Sequence, residues 1–304
     1  MEPRCVIERG SEEYPTKLEE LPKPPERLFC RGSAEVLSRP SISIVGARRA
    51  TPYGIAAAKM AGRIAAECDL VVVSGGAMGC DSAAARAALD AGGETIVVSG
   101  CGADRIYPRT SRDVFEGAVE HGGAVISLEP WGSPPRRYAF PKRNRVIAAL
   151  SEATFVVEAG LRSGTMGTAS VAAELGRRLY AVPGSIFSPE SAGTNRLIAD
   201  GAAIVCCEAD LESCISLDFD RLRLLEQKVP GEASRLMSAL AAQPLRADDL
   251  ANRFEESVLT ILRALGDYEA KGWVVRLRDG RYAPSEEFLL ARDRMEADAE
   301  NVRS

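Results

Sequence analysis

The sequence has 304 residues, of which 46% are hydrophobic and 27% charged, and its formal net charge is −5. This composition excludes a chain too polar to bury a core, and the length leaves room for one large and one small domain. No apolar run reaches the about 18 residues of a membrane-spanning helix, and residues 1–15 lack the apolar core of a signal peptide. We therefore expect a cytoplasmic protein without a membrane partner.

Cysteine and histidine usage argues against a metal site. The eight cysteines form no Cys-x-x-Cys pair, and His121 is the single histidine. Such a set predicts mostly buried free thiols in a reducing compartment, and we expect no bound metal. The acidic net charge is only weak evidence against nucleic-acid binding, because the local distribution of charge decides.

Residues 1–40 are rich in proline and charge, and they predict an irregular arm packed on the main domain. From residue 41 onward, short β-branched segments alternate with helical segments. The predicted strands cover 41–46, 70–73, 94–98, 124–128, 154–157, 180–182 and 203–206, and the predicted helices cover 53–67, 81–91, 111–121, 141–150 and 195–200. Alternation at spacings of about 25 to 30 residues is typical of βα units around a parallel sheet. Residues 41–212 therefore predict an α/β domain, a Rossmann-like, doubly wound, mostly parallel sheet whose strands end at one rim.

The pattern changes after a predicted linker at 213–230. Three short helices are predicted at 233–241, 245–253 and 257–270, and two strands then flank the Asp279-Gly280 turn, a strong hairpin sequence. This order predicts a small C-terminal winged-helix domain at 231–285, followed by an acidic tail at 286–304. The third helix carries Arg263 against two acids, which favours protein docking or weak binding over reading of the DNA major groove.

Glycines follow most of the predicted strands of the main domain. They are Gly46, Gly75, Gly76, Gly79, Gly100, Gly102, Gly164, Gly167 and Gly184. Glycine at the carboxyl rim of an α/β sheet lets backbone approach a phosphate closely, although βα turns also use glycine for its conformational freedom. We interpret the cluster as an anion site. No turn matches the G-x-G-x-x-G or P-loop motif, so we expect no NAD, ATP or other cofactor.

The stretch from Arg136 to Arg145 holds five basic side chains, two aromatic rings and no acid. If a helix begins near Pro141, Arg143 lies in its first turn and Lys142 lies outside its apolar stripe. Cations, an aromatic ring and a helix N-terminus on one surface predict a site for a polyanion that also carries flat bases. The alternative interpretation is a solvated basic loop before a core helix.

Five ordered segments resemble the motifs of the DprA/Smf family, the DNA-processing proteins of bacterial natural transformation. The segments are Gly46–Gly54, Ser74–Asp81, Phe140–Ala148, Glu158–Thr165 and Pro183–Ile198. The resemblance covers most of the chain, and the predicted winged helix also fits the family. Two departures stand out: Ala47 occupies the position of a family serine whose hydroxyl could bond a phosphate, and residues 163–168 read Ser-Gly-Thr-Met-Gly-Thr.

The resemblance implies a non-catalytic protein that binds single-stranded DNA as a homodimer, protects it and hands it to the RecA recombinase. By this resemblance Arg48 is expected to hold a phosphate, and Lys142 and Arg143 to extend the pocket. The Gly75-Gly76 backbone and Ser163-Gly164 are expected to line the same pocket. The residues themselves add that Phe140 could offer a face on which a base stacks. The complete set of expected DNA-binding residues is Gly46, Arg48, Arg49, Ser74, Gly75, Gly76, Phe140, Lys142, Arg143, Ser163 and Gly164.

Alternatives remain open for individual residues. Arg48 could pair with a neighbouring acid, and Phe140 could belong to the core. Residues that could cap helices or tie loops are Asp81, Asn144 and Asn195. Trp131, between Pro130 and Gly132, could form a lid or a surface anchor.

The alternative function is a nucleotide N-glycosidase of the lysine-decarboxylase-like type, acting on nucleoside monophosphates. Such a site needs a P-G-G-x-G-T-x-x-E run, and residues 163–168 lack the Pro-Gly-Gly. Glu158 is then the one well-placed acid, which is thin support for catalysis. A transcription factor using the winged helix is a third possibility, disfavoured by the acidic third helix.

Overall fold

The computed structural model describes residues 3–221, 235–254 and 256–285. The chain forms two compact units, Met1–Leu224 and Leu225–Ser304. No helix among these described residues is long and apolar enough to cross a bilayer. The same ranges contain no group of three or more His, Cys, Asp or Glu side chains arranged to hold a metal ion.

The first unit is an α/β domain built on one large sheet. Its strands are β1 (Arg4–Glu8), β2 (Arg27–Gly32), β3 (Ser41–Val45), β4 (Val71–Ser74), β5 (Thr95–Ser99), β6 (Ala124–Ser127), β7 (Ala153–Val156), β8 (Arg178–Ala181) and β9 (Ala203–Ile204). Its α-helices are α1 (Pro52–Glu67), α2 (Cys80–Asp90), α3 (Arg112–Glu120), α4 (Ala139–Leu150), α5 (Gly164–Glu174), α6 (Ala192–Ala199) and α7 (Glu208–Phe219).

The strand order across the sheet is β1-β2-β6-β5-β4-β3-β7-β8-β9. All pairs from β6 to β9 along this order are parallel, whereas β2 is antiparallel to both β1 and β6. The chain proceeds from β3 to β6 in one direction and then returns to the other side of β3 for β7. The predicted mostly parallel α/β sheet is therefore confirmed, and the sheet changes direction between β3 and β7, where such folds open a crevice.

Both faces of the sheet are covered, because alternate strand residues point to opposite sides. Ile42 and Ile44 pack with α1, α2 and α7 on one face. Val45, Val71 and Val73 pack with α4, α5 and residues of the N-terminal arm on the other. The βα loops therefore emerge at a rim that lies between two packed layers.

Two parts of the first unit differ from the sequence prediction. The irregular arm expected at residues 1–40 contains two strands, β1 and β2, which extend the sheet beyond β6 and bury Ile7 and Leu28. The first residues of the linker predicted at 213–230 belong instead to α7, which buries Leu211 and Ile215 one turn apart. Residues 222–230 of the predicted linker lie outside the described residues.

The second unit contains α8 (Arg235–Ala242), α9 (Ala247–Phe254), α10 (Val258–Ala270) and the antiparallel pair β10 (Val274–Arg276) and β11 (Tyr282–Pro284). Buried Leu240, Leu250, Leu265 and Val274 form its core. The described residues have the expected order of three helices and a hairpin, and the winged-helix assignment stays a prediction. Residues 231–234 and the predicted acidic tail at 286–304 lie outside them.

Candidate nucleic-acid interface

A small pocket opens at the carboxyl rim where the loops after β3, β4 and β5 meet the first turn of α4. It has a volume of about 50 Å³, and we call it the rim pocket. Its lining includes Arg48, Ala77, Met78, Tyr107, Phe140 and Arg143. Four of the residues predicted from sequence to bind DNA are therefore brought together from chain positions nearly 100 residues apart: Arg48, Gly75, Phe140 and Arg143.

Arg48 and Phe140 contact each other in the rim pocket. The Arg48 guanidinium carbon lies 5.1 Å from the centroid of the half-buried Phe140 ring, within cation–π range. Within residues 3–221, 235–254 and 256–285, Arg48 forms no ion pair with an acid, so the salt-bridge alternative gains no support. Phe140 is only half-buried, so it does not belong to the core. A cation above a partly open ring can meet a phosphate and a base together.

Arg143 lies beneath this pair, with only 4% of its surface exposed. Helix α4 begins at Ala139 rather than near Pro141, so Arg143 belongs to the second turn and points inward, which corrects the expected first-turn position. Its Nη2 donates to the Gly75 carbonyl at 3.0 Å, while its buried Nε has no hydrogen-bond partner. Burial lowers the pKa of Arg143 to about 10, and the guanidinium therefore remains a cation at neutral pH.

The loop after β4 supports Arg143 and is itself fully engaged. The Gly75 amide donates to Asp81 Oδ2 at 3.1 Å, and burial raises the pKa of this carboxyl despite the nearby Arg143 cation. The Ser74 hydroxyl is buried and donates to the Ile44 carbonyl at 2.9 Å. Gly75 lines the rim pocket as the sequence predicted, but its amide and the Ser74 hydroxyl already have partners within the protein. Their role in DNA binding stays a prediction. Asp81 holds this loop in place, which is one of the two structural roles that the sequence left open for it.

Glu158 holds the loop that carries Arg48. Its carboxylate is 3% exposed and accepts from the Thr51 hydroxyl at 2.5 Å and from the Thr51 amide at 3.2 Å. Thr51 in turn caps α1 by accepting from the Gly54 amide at 3.1 Å. The acid that a glycosidase would need is thus engaged in fixing the backbone around Arg48 and Arg49, both of which are exposed.

The glycine-rich turn after β7 forms a second, separate part of the rim. Ser163 precedes the first residue of α5, Gly164, which is exposed. Asn144 links this turn to α4 by donating to the Gly164 carbonyl at 3.3 Å. The Thr165 hydroxyl donates to the carbonyl of buried Gly46 at 3.0 Å. Gly46 therefore supports the α5 N-terminus from below, and its carbonyl is already engaged.

Two further predicted residues lie away from the rim pocket opening. Gly76 is buried with a φ of +62°, a left-handed conformation that favours glycine, and a Cβ there would meet Phe115. Lys142 is exposed on the outer side of α4, 4.0 Å from Glu129. It lines a different groove, formed with residues of the N-terminal arm.

Sequence reasoning missed Tyr107 and Met78, which are 46% and 47% exposed at the rim pocket. The Tyr107 ring centroid lies 5.9 Å from that of Phe140, which gives the pocket a second aromatic wall. The position of Tyr107 in the loop after β5 could have identified it. This loop, from Gly100 onward, runs along the same rim as the loops of β3 and β4, although it matches no phosphate-binding motif.

The remaining sequence alternatives are settled by contacts elsewhere. Trp131 is a surface anchor, because its ring meets Phe29 edge-on at 5.5 Å and the Arg4 guanidinium at 5.7 Å. Asn195 ties a loop rather than capping α6, since its amide group bonds both the N–H and the C=O of Gly184 at 3.0 Å.

A mostly parallel α/β sheet that changes direction between β3 and β7 is a Rossmann-like fold, and here cations and aromatic rings meet at its carboxyl rim. Comparison with known proteins narrows this class. Residues 5–216 match the family DNA recombination-mediator protein A, and the chain belongs to that family. The resemblance to DprA/Smf proteins found in the sequence is thereby confirmed.

Individual relatives agree with this assignment. The chain is 32% identical to Protein Smf from Escherichia coli strain K12 over 284 residues, which cover 90% of this chain and 76% of the relative. The crystal structure of DNA processing protein A from Streptococcus pneumoniae is 35% identical with a TM-score of 0.65, over 69% of this chain and 74% of that one. The structure of DNA processing protein A from Helicobacter pylori, described with a unique single-stranded DNA binding mode, is 30% identical with a TM-score of 0.64. The match covers 72% of this chain and 100% of that one.

Proposed function

We propose that this protein binds single-stranded DNA at the rim pocket and serves DNA processing in natural transformation. The observation that carries the proposal is the stacked arrangement of Arg48 on Phe140, with the buried cation of Arg143 behind them. The names and binding mode of its relatives support the same conclusion.

In this proposal each of the three side chains has a different role in binding the strand. Arg48 is exposed and pairs with a phosphate that passes over the rim. Phe140, braced by Tyr107, stacks on a base, an interaction worth about 1–3 kcal/mol for any base. Arg143 cannot move to follow the strand, and acts as a fixed positive charge beneath the pocket. Because none of these groups reads a base edge, binding is expected to tolerate any sequence.

We further propose that the protein acts by binding and not by catalysis. The buried Glu158 carboxylate already accepts from Thr51, so it lacks the freedom of a general acid or base facing a substrate. The N-glycosidase alternative is therefore not favoured by the site. Handover of bound DNA to RecA in the cytoplasm, and action as a homodimer, complete the proposal on the strength of the family resemblance.

Fluorescence anisotropy of labelled oligo-dT tests the binding site. The wild-type protein is titrated at several salt concentrations, with a duplex of equal length in parallel. Arg48→Ala is expected to make the slope of log K against log salt shallower by about 0.7, the value for one phosphate contact on a single strand. Phe140→Ala is expected to cost about 1–3 kcal/mol of binding free energy. Lys59→Ala, an exposed lysine on α1, is the matched control.

Two results would contradict the proposal. One is the absence of salt-sensitive binding to single strands by the wild-type protein. The other is binding that is indifferent to both substitutions in the rim pocket. Either result would redirect the experiment to nucleoside monophosphates, with release of the free base as the readout of the glycosidase alternative.

A further inference from the structure

A second concave surface lies between the N-terminal arm and the outer side of α4. It has a volume of about 460 Å³, and we call it the arm groove. Its wall on one side is the segment Leu21–Arg27, and on the other it is the exposed side of α4 at Lys142 and Arg145. None of these arm residues belongs to the motifs that the sequence analysis identified, and the rim pocket does not include them.

Positive charge dominates the arm groove. Lys23, Arg27, Lys142 and Arg145 line it, against the single acid Glu26. That acid is partly neutralised, because the Arg9 guanidinium lies 3.5 Å from it. In the part of the chain that the structure describes, Lys23 and Arg145 pair with no carboxylate. Two exposed cations without partners in one groove, in a protein of formal net charge −5, mark a local site for an anion.

The floor of the groove is apolar and preformed. Leu21 and Val146 are buried at its base, and Pro24 and Pro25 form its edge. The arm is held in place because the Tyr14 hydroxyl donates to the Pro25 carbonyl at 2.8 Å. Cations above an apolar floor suit a chain that carries phosphates and flat bases, and the arrangement needs no reordering when such a chain binds.

Helix α4 connects the arm groove to the rim pocket. Phe140 and Arg143 line the pocket, while Lys142 and Arg145, three residues apart and so on one face of the helix, line the groove. Along the helix axis Phe140 and Arg145 are separated by about 7.5 Å, at 1.5 Å per residue. At 3.6 residues per turn the two residues also lie about 140° apart around the helix. A strand therefore has to pass around α4 as well as along it, and its path is longer than this axial distance.

We propose that the arm groove is a second subsite for the same single strand, which passes from the rim pocket across α4 and lays its next phosphates on Lys23 and Arg145. This inference rests on the proposed function of the rim pocket. The short sequence around Lys23 therefore belongs to the binding surface, and the arm has a role beyond extending the sheet. Oligonucleotides too short to leave the rim pocket do not sense the groove.

Comparison of two oligonucleotide lengths tests the subsite. Wild type and the double variant Lys23→Ala/Arg145→Ala are titrated with labelled oligo-dT of about 4 and about 16 nucleotides, the range of site sizes in single-strand binding folds. Both side chains are exposed, so the fold is expected to persist, and circular dichroism checks this. The double variant is expected to bind the short strand as wild type does. With the long strand its salt slope becomes shallower by about 1.4 and its affinity near physiological salt falls about tenfold.

The outcomes separate the two proposals. If wild type binds both strands and the double variant loses nothing on the long one, the arm groove is excluded and the rim pocket stands. An equal loss on both lengths also overturns the subsite, since it shows a general electrostatic effect. If wild type binds neither strand, the proposed function fails and this inference fails with it. Lys59→Ala again serves as the control for removal of an exposed lysine.

Discussion

Two sets of glycines on the same rim differ in what surrounds them. Gly75 and Gly100 leave space that other side chains fill: a Cβ at Gly75 would overlap the Arg143 guanidinium, and one at Gly100 would lie 2.6 Å from the Phe140 ring. In α5, by contrast, a Cβ at Gly164 would lie 4.0 Å from Asn144 Nδ2, an ordinary contact, and one at Gly167 would meet no atom within 4 Å. Glycine after a strand is therefore not in itself evidence of a bound anion. Gly75 and Gly100 make room for the Arg143 guanidinium and the Phe140 ring, whereas the surroundings of Gly164 and Gly167 are left unfilled.

The largest loss of stability is expected from a substitution at Gly75, one of the two glycines whose space other side chains fill. In Gly75→Ala the new methyl group overlaps the guanidinium of Arg143, which is buried and cannot swing into solvent. We expect a loss of about 3 kcal/mol in the free energy of unfolding, at the upper end of overpacking effects. Urea denaturation measures it, and an unchanged midpoint would show that the guanidinium has room to move.

A smaller and more local effect is expected at Gly100. The Phe140 ring beside it is partly exposed at the first turn of α4, so in Gly100→Ala the ring can rotate away toward solvent. We expect about 1–2 kcal/mol of lost stability together with weaker binding of oligo-dT. Anisotropy and urea denaturation on the same preparation separate the two quantities. Normal binding would mean that the ring position does not matter for DNA.

Glu158→Gln tests whether the acid fixes the rim or does chemistry. The amide has one oxygen instead of two and brings a donor toward the Thr51 donors, so one buried polar contact is lost. The expected cost is about 1–2 kcal/mol of unfolding free energy, with DNA binding retained at temperatures where the protein stays folded. Loss of base release from nucleoside monophosphates in this variant, with unchanged stability, would instead support the glycosidase.

The smallest change in stability is expected at Gly167 in α5, and it is a gain instead of a loss. Gly167 is exposed within α5 and a Cβ there meets no atom within 4 Å. Gly167→Ala is therefore expected to stabilise the protein by about 0.5–1 kcal/mol, the usual difference between the two residues in a helix. A denaturation midpoint below that of wild type would show that this position is constrained in a way that its surroundings do not reveal.

The sequence predicted the parallel part of the fold well because that part is encoded locally. Each strand from β3 to β7 is a short run that contains β-branched residues, and each is followed by a helical segment. Strands β1 and β2 escaped detection because only Ile7 is buried in β1, which leaves no alternating pattern, and because their pairing joins segments about 20 residues apart. Helix α7 was missed because Leu211 and Ile215 alone mark its buried face.

The sequence identified residues that the structure brings together at the rim, but it did not show which of them are buried. Arg48 and Phe140 meet at the rim as expected, since both follow from motifs on neighbouring loops. Arg143 and Ser74 are buried, and the sequence could not show this because it depends on where α4 begins and on how closely the loop after β4 approaches the helix. Tyr107 was overlooked since its contribution is purely spatial.

The antiparallel strands β1 and β2 also decide how the sheet ends. Without them, β6 would present a row of unpaired backbone N–H and C=O groups, and such an edge is a template on which other chains add strands. With them, the outermost strand on that side is β1, whose side chains are largely exposed and include Arg4 and Glu8. At the opposite side the sheet stops at β9, which has only two residues. The arm therefore replaces an apolar sheet edge with one that carries charged side chains, a feature that disfavours edge-to-edge pairing.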